Sequence, residues 1–103
     1  MKEEVDEEDI ANINLHTQLQ HLEIYDCTFQ EGALDGLNLP QTVEMITMVN
    51  CSGVDDLKFL ADLKNLYSLR LDGCGITNEL LPAMANTMLD YLDVSNNPAF
   101  TDL

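Results

Sequence analysis

The sequence predicts an α/β fold assembled from a repeated unit, and three observations carry that reading. A nine-residue frame, L-x-x-L-x-L-x-x-C in 66–74 (LYSLRLDGC), recurs with other aliphatic residues or Met at its leucine positions at 19–27 (LQHLEIYDC), 43–51 (VEMITMVNC) and, with Asn for Cys, at 89–97 (LDYLDVSNN). The frames start at Leu19, Val43, Leu66 and Leu89, which are 24, 23 and 23 residues apart; a period this regular marks a repeat architecture. Alternating apolar and polar side chains inside each frame read as a strand, whereas the connectors carry apolar residues at helical spacing.

The elements follow in order along the chain. Residues 1–18 precede the first frame, and Glu3, Glu4, Asp6, Glu7, Glu8 and Asp9 form a dense acidic run that reads as a solvated, mobile tail. Ile10, Ile13 and Leu15 then supply apolar material for a polar-faced cap over the open end of the first repeat. Within a frame such as LYSLRLDGC, Leu69 and Leu71 point inward while Ser68, Arg70 and Asp72 point outward. The chain must then turn a corner. A buried residue there has to be small and able to meet loop backbone groups, which Asn does with its amide and Cys as a compact filler with a weak S–H donor.

The connectors differ from one another. FQEGALDGLNLPQT carries Gly32, Gly36 and Pro40 and is expected to be irregular. VDDLKFLADLKN offers Leu57, Leu60 and Leu63 at threefold spacing, the mark of a tight helical turn. ITNELLPAMANTM places Leu80, Leu81, Met84 and Met88 at helical spacing after a Thr/Asn start and reads as a helix or helical turn whose first turn tolerates Pro82. After the fourth strand, NNPAFTDL holds no terminal cap. The open end is expected to be closed by a partner, by a second copy of the chain, by Phe100 and Leu103, or by further repeats of a longer array.

With these frames in view, residues 19–103 resemble the leucine-rich-repeat family, with Cys27, Cys51, Cys74 and Asn97 at the family's Asn/Cys ladder position. The repeats are 19–42, 43–65, 66–88 and a partial 89–103, preceded by the acidic tail and cap of 1–18. The resemblance implies a short curved solenoid with a parallel sheet on its concave face and helical or irregular segments on its convex face. Val43 and Met48 depart from the family's leucines in the second repeat. The family hosts unrelated tasks, mostly protein recognition, so function has to be argued from the residues of the face.

Nineteen acids against four bases (Lys2, Lys58, Lys64 and Arg70) give a formal charge of −15. That charge repels nucleic acid and anionic membrane surfaces, so no direct nucleic-acid or membrane binding is expected; it favours basic partners and also keeps a protein in solution. No apolar run approaches the ~20 residues of a membrane span, and the start MKEEVDEED is the opposite of a signal peptide. An intracellular protein, cytoplasmic or nuclear, is the expectation. The three cysteines recur once per repeat with no C-x-x-C pair, which reads as buried packing thiols in a reducing compartment and argues against a metal site or disulfides.

Outward positions of the four strands give His21, Glu23 and Tyr25; Met45, Thr47 and Val49; Ser68, Arg70 and Asp72; and Tyr91, Asp93 and Ser95. Neighbouring strands lie about 4.8 Å apart, so like positions form rows across the sheet. Two tyrosines, Met45 and Val49 among charges have the composition of interface anchors. Arg70 is placed to pair with Asp72 or Asp93. His21 with Glu23, or Glu23 with Asp93, could form an acid–base pair, but the sequence supplies no nucleophile, oxyanion hole or deep pocket to go with it. Gly73 and Gly75 flank Cys74 in a corner, where turn geometry explains them without a phosphate. The expectation is a non-catalytic module with no cofactor or metal that binds a protein partner through this face, the acidic charge favouring a basic one. The alternative is a small acidic inhibitor or chaperone of a basic nucleic-acid-handling protein, an immunity-type or mimic role in which its carboxylates stand in for the phosphates of the nucleic acid.

Overall fold

The computed structural model describes residues 3–61, 63–80, 82 and 89–99. Its elements run β1 (Glu3–Val5), α1 (Glu7–Asn14), β2 (His21–Tyr25), β3 (Cys27–Phe29), β4 (Met45–Val49), β5 (Ser68–Asp72) and β6 (Tyr91–Asp93). Short 3-10 turns lie at Ala33–Gly36, Lys58–Leu60 and Asn78–Leu80. The fold is mixed α/β with every strand pairing parallel: a four-stranded sheet in the order β2-β4-β5-β6, and a two-stranded sheet of β1 and β3.

Each strand of the larger sheet begins at the third residue of its frame, and the register joins like positions: Leu22 to Ile46 to Leu69 to Leu92, then Ile24 to Met48 to Leu71. Identical spacing in sequence therefore becomes stacked apolar rows. Ile46, Met48, Leu69 and Leu71 are fully buried, and Val43, Leu66, Cys51 and Cys74 extend the same core. The connectors close it from behind, with Leu34, Leu37 and Leu39 from the first and Leu57, Phe59, Leu60 and Leu63 from the second.

The second connector forms the expected tight turn at Lys58–Leu60. The first, expected to be irregular, also holds one turn of 3-10 helix at Ala33–Gly36, entered from Gly32 at φ 77. In the third, Asn78–Leu80 is a 3-10 turn; Leu81, Met84 and Met88, and at the chain end Phe100 and Leu103, lie outside the described residues. Gly53 is held by close packing: at its φ of 80 an added Cβ would meet the Phe29 carbonyl oxygen at 2.3 Å.

The acidic run departs from the expectation of a mobile tail. Glu3–Val5 pairs with Cys27–Phe29, the Gln30 N–H donates to the Val5 carbonyl at 2.9 Å, and the Glu3 N–H to that of Asp26 at 3.1 Å. Main-chain pairing of this kind is indifferent to side chains that stay in solvent. Asp6 then caps α1: its carboxylate accepts the Asp9 N–H at 3.0 Å while the Asp9 carboxylate accepts the Asp6 N–H at 3.2 Å. Glu7, Glu8 and Asp9 in the first turn suit the positive end of the helix dipole. Ile10 is buried and Ile13 packs partly against the core, whereas Leu15, expected in the cap, stands in solvent. Asn14 ties the helix to the first connector, donating to the Gly36 carbonyl and accepting the Asn38 N–H, both at 2.8 Å.

Corners follow one rule. The eighth frame position has positive φ in every repeat: Asp26 at 56, Asn50 at 56, Gly73 at 65 and Asn96 at 60, conformations open mainly to Gly, Asn and Asp. At the ninth, the side chain reaches back to the sixth-position carbonyl of the preceding repeat: the Cys51 thiol to Ile24 at 3.5 Å, the Cys74 thiol to Met48 at 3.2 Å and the Asn97 amide to Leu71 at 2.6 Å.

Candidate binding face

The face of the four-stranded sheet turned away from the core is built by the residues between the inward rows. Register places His21, Met45, Ser68 and Tyr91 side by side, then Glu23, Thr47, Arg70 and Asp93, then Tyr25, Val49 and Asp72. Ser95 follows β6 in a turn and does not extend the third row as a strand residue.

These positions are not equally accessible. Tyr25 and Tyr91 are 50% and 51% exposed, on the two edge strands, and His21 and Glu23 are exposed as well. Thr47 and Ser68, expected among the binding residues, are only 8% and 7% exposed and form a floor on the two central strands. Met45, Val49, Arg70, Asp72 and Asp93 are half-buried.

The charged side chains and the two tyrosines of the face are mutually engaged. Tyr25 Oη donates to Glu23 Oε1 at 2.9 Å, and Tyr91 Oη to Asp93 Oδ2 at 3.3 Å. Arg70 Nη2 donates to Asp72 Oδ2 at 3.0 Å, and its Nε lies 3.4 Å from Asp93 Oδ2. The one cation of the face is thus held between two carboxylates, as the sequence anticipates for Arg70. The Asp72 hydrogen bond raises the guanidinium pKa further above its ordinary value. Asp93 also accepts the Ser95 hydroxyl and, at 2.8 Å, the Ser95 N–H; these bonds hold its carboxyl below the usual carboxylate range. The Tyr25 phenol is raised, chiefly because its hydrogen is held by Glu23.

The acid–base pairings considered from sequence do not assemble. Glu23 takes the hydroxyl of Tyr25, and Glu23 and Asp93 stand on opposite edge strands of the sheet. Among the described residues no group of three or more His, Cys, Asp or Glu side chains converges as metal ligands would. Cys51 and Cys74 are buried and Cys27 is half-buried, with all three thiols free.

Two features of the face escaped sequence reasoning. Along the corner rim Asn50 Nδ2 donates to Asp26 Oδ1 and Asn96 Nδ2 to Asp72 Oδ1, each at 2.7 Å, so the eighth-position side chains lock one repeat to the one before it. Recurrence of Asp, Asn, Gly and Asn before the ladder residue was the available signal. Tyr67, just before β5, is 41% exposed; a second-position residue gives no comparable signal, because Gln20, Glu44 and Asp90 share its place.

Among the described residues no helix is long and apolar enough to cross a membrane. Comparison with protein-family models, with curated proteins and with solved structures finds no match for the chain.

Proposed function

We propose that the chain is a short leucine-rich-repeat solenoid acting as a non-catalytic recognition module, with the exposed face of its four-stranded sheet as the concave binding surface for a protein partner. The observation that carries this reading is the pair of half-exposed tyrosines, Tyr25 and Tyr91, on the two edge strands of a sheet whose floor is Thr47 and Ser68. Aromatic rings whose hydroxyls are already oriented by a carboxylate lose little conformational freedom on contact, which is the character of an interface anchor. Met45 and Val49 add apolar area between them, and the Arg70–Asp72–Asp93 network sets polar specificity. Three free thiols suit a reducing intracellular compartment.

The test is capture of partners from lysate on the immobilised chain and on a Tyr25→Ala/Tyr91→Ala variant whose thermal unfolding matches the parent. Loss of a captured protein from the variant supports the face. Equal capture by both proteins refutes it.

A second reading, an acidic inhibitor or chaperone of a basic nucleic-acid-handling protein, is favoured by the charge of −15. It predicts that capture collapses between low-salt and high-salt washes, whereas contacts anchored by the tyrosines persist.

A further inference from the structure

β2 is a terminal strand of the four-stranded sheet, and among the described residues no strand pairs with its outer edge. The ladder decides which main-chain groups lie there. Gln20 O accepts from Met45 N at 3.2 Å and Asp26 N donates to Val49 O at 2.9 Å, so even-numbered residues serve β4 and the main-chain groups of His21, Glu23 and Tyr25 face outward. Among the described residues only the Tyr25 carbonyl has a partner there, the Cys27 thiol at 3.2 Å.

One step further along the chain the same edge is occupied. β1 lies parallel to β3 with Glu3 in register with Cys27, and the Glu3 N–H donates to the Asp26 carbonyl at 3.1 Å. Among the described residues the protein's own strand thus covers the corner of the first repeat, from Glu3 beside Cys27 onward. A second strand laid beside His21–Tyr25 would continue the line of β1, on an edge that already accepts parallel pairing.

The surroundings specify what such a strand must carry. Glu3, Asp9 and Asp26 all lie close enough to act electrostatically on Cys27, just past the end of β2, and Glu23 sits midway along it. Ion pairs among the described residues involve only Lys58 and Arg70, so none neutralises these acids. On the core side, Ile24 remains half-buried and Leu22 is buried. Alternate residues of an added strand face opposite sides of the sheet; basic side chains would meet Glu23 on the open face while apolar ones would cover Ile24.

We propose that the outer edge of β2 is a strand-addition site for an extended segment of a partner protein in which basic and apolar residues alternate. Main-chain hydrogen bonds supply affinity and the alternation supplies specificity, as in other strand-addition complexes. A second copy of this chain is a poor occupant, because it would bring its own Glu23 against this one and like charges oppose pairing.

The probe is a blocked Lys-Val-Lys-Val-Lys peptide, with Glu-Val-Glu-Val-Glu as its control, and the readout is residue-resolved amide exchange. The lysine peptide is expected to slow exchange at His21, Glu23 and Tyr25 by about tenfold at saturation, and the glutamate peptide to leave it unchanged. Glu23→Gln combined with Asp26→Asn should weaken the lysine peptide about threefold at low salt; Asn50 and Asn96 show that asparagine accepts the left-handed corner. Unchanged exchange at all three amides, equal protection by both peptides, or protection that appears on raising protein concentration without peptide would overturn the assignment.

Discussion

Asn97 is the residue on which the last corner depends. Its side-chain oxygen accepts the N–H groups of Cys74 at 2.9 Å and Ile76 at 3.0 Å, while its amide donates to the carbonyls of Leu71, Val94 and Ser95. A cysteine in that place can donate to one carbonyl but cannot accept two N–H groups at once. Asn97→Ala strands both donors in a buried setting and should cost about 3 kcal/mol in urea unfolding, with Asn97→Cys losing less. The ladder thiols lead to a second expectation. Burial pushes the Cys74 thiol up from 9.0 to about 11, so the folded state keeps its proton where the unfolded chain ionises. Its contribution to stability is complete below pH 9 and is lost as pH rises toward 11, on the order of 2 kcal/mol. Alkaline titration of unfolding free energy should show this loss, and Cys74→Ser should flatten it.

At the level of elements, what could be read in advance was whatever the frame repeats. Four occurrences of the frame determine strand positions, facing and register together, because a slip of one residue would bring Ser68, Arg70 and Asp72 into the core. Tight turns at Leu57, Leu60 and Leu63 were legible for the same reason, since apolar spacing in a connector has to match the core it closes. β1 was not. Glu3–Val5 has no apolar alternation, and its pairing is decided by an edge on β3 that exists only in the folded chain. Thr47 and Ser68 could be assigned a face but not an exposure, which depends on the larger neighbours around them. The capped helix that follows β1 can be tested directly. Asp6→Ala removes the carboxylate that accepts the Asp9 N–H and should destabilise the domain by about 1 kcal/mol. Ile10→Ala, which empties a buried site beside Gly36, should cost about 3 kcal/mol. Thermal melts that separate the two variants by this margin would show that α1 is part of the cooperative unit; melts that match the parent for both would mean the helix frays independently.

Across the whole molecule the charge of −15 is opposed by only three close ion-pair contacts among the described residues, two of them made by Arg70. Glu3 and Glu4 are nevertheless drawn into β1, Asp6 into the helix cap and Glu7, Glu8 and Asp9 into the first turn of α1, with Glu3 bonded to Asp26 at the corner of the first repeat. Folding concentrates like charge there, and apolar burial together with backbone pairing outweighs the repulsion. Screening should then relieve a destabilising term. Raising sodium chloride to about 0.5 M shortens the Debye length to about 4 Å, so that acids separated by more than a few ångströms no longer oppose compaction. The melting temperature should rise by about 5 °C over that range. The Lys58–Asp56 pair, whose lysine stands in solvent, weakens in the same salt but contributes little to begin with. A melting temperature that falls with salt would mean that the Arg70 network outweighs the repulsion at the amino-terminal end. Sodium sulfate at equal ionic strength separates screening from surface exclusion: a rise common to both salts belongs to the charge of the fold, and a rise in sulfate alone belongs to apolar burial.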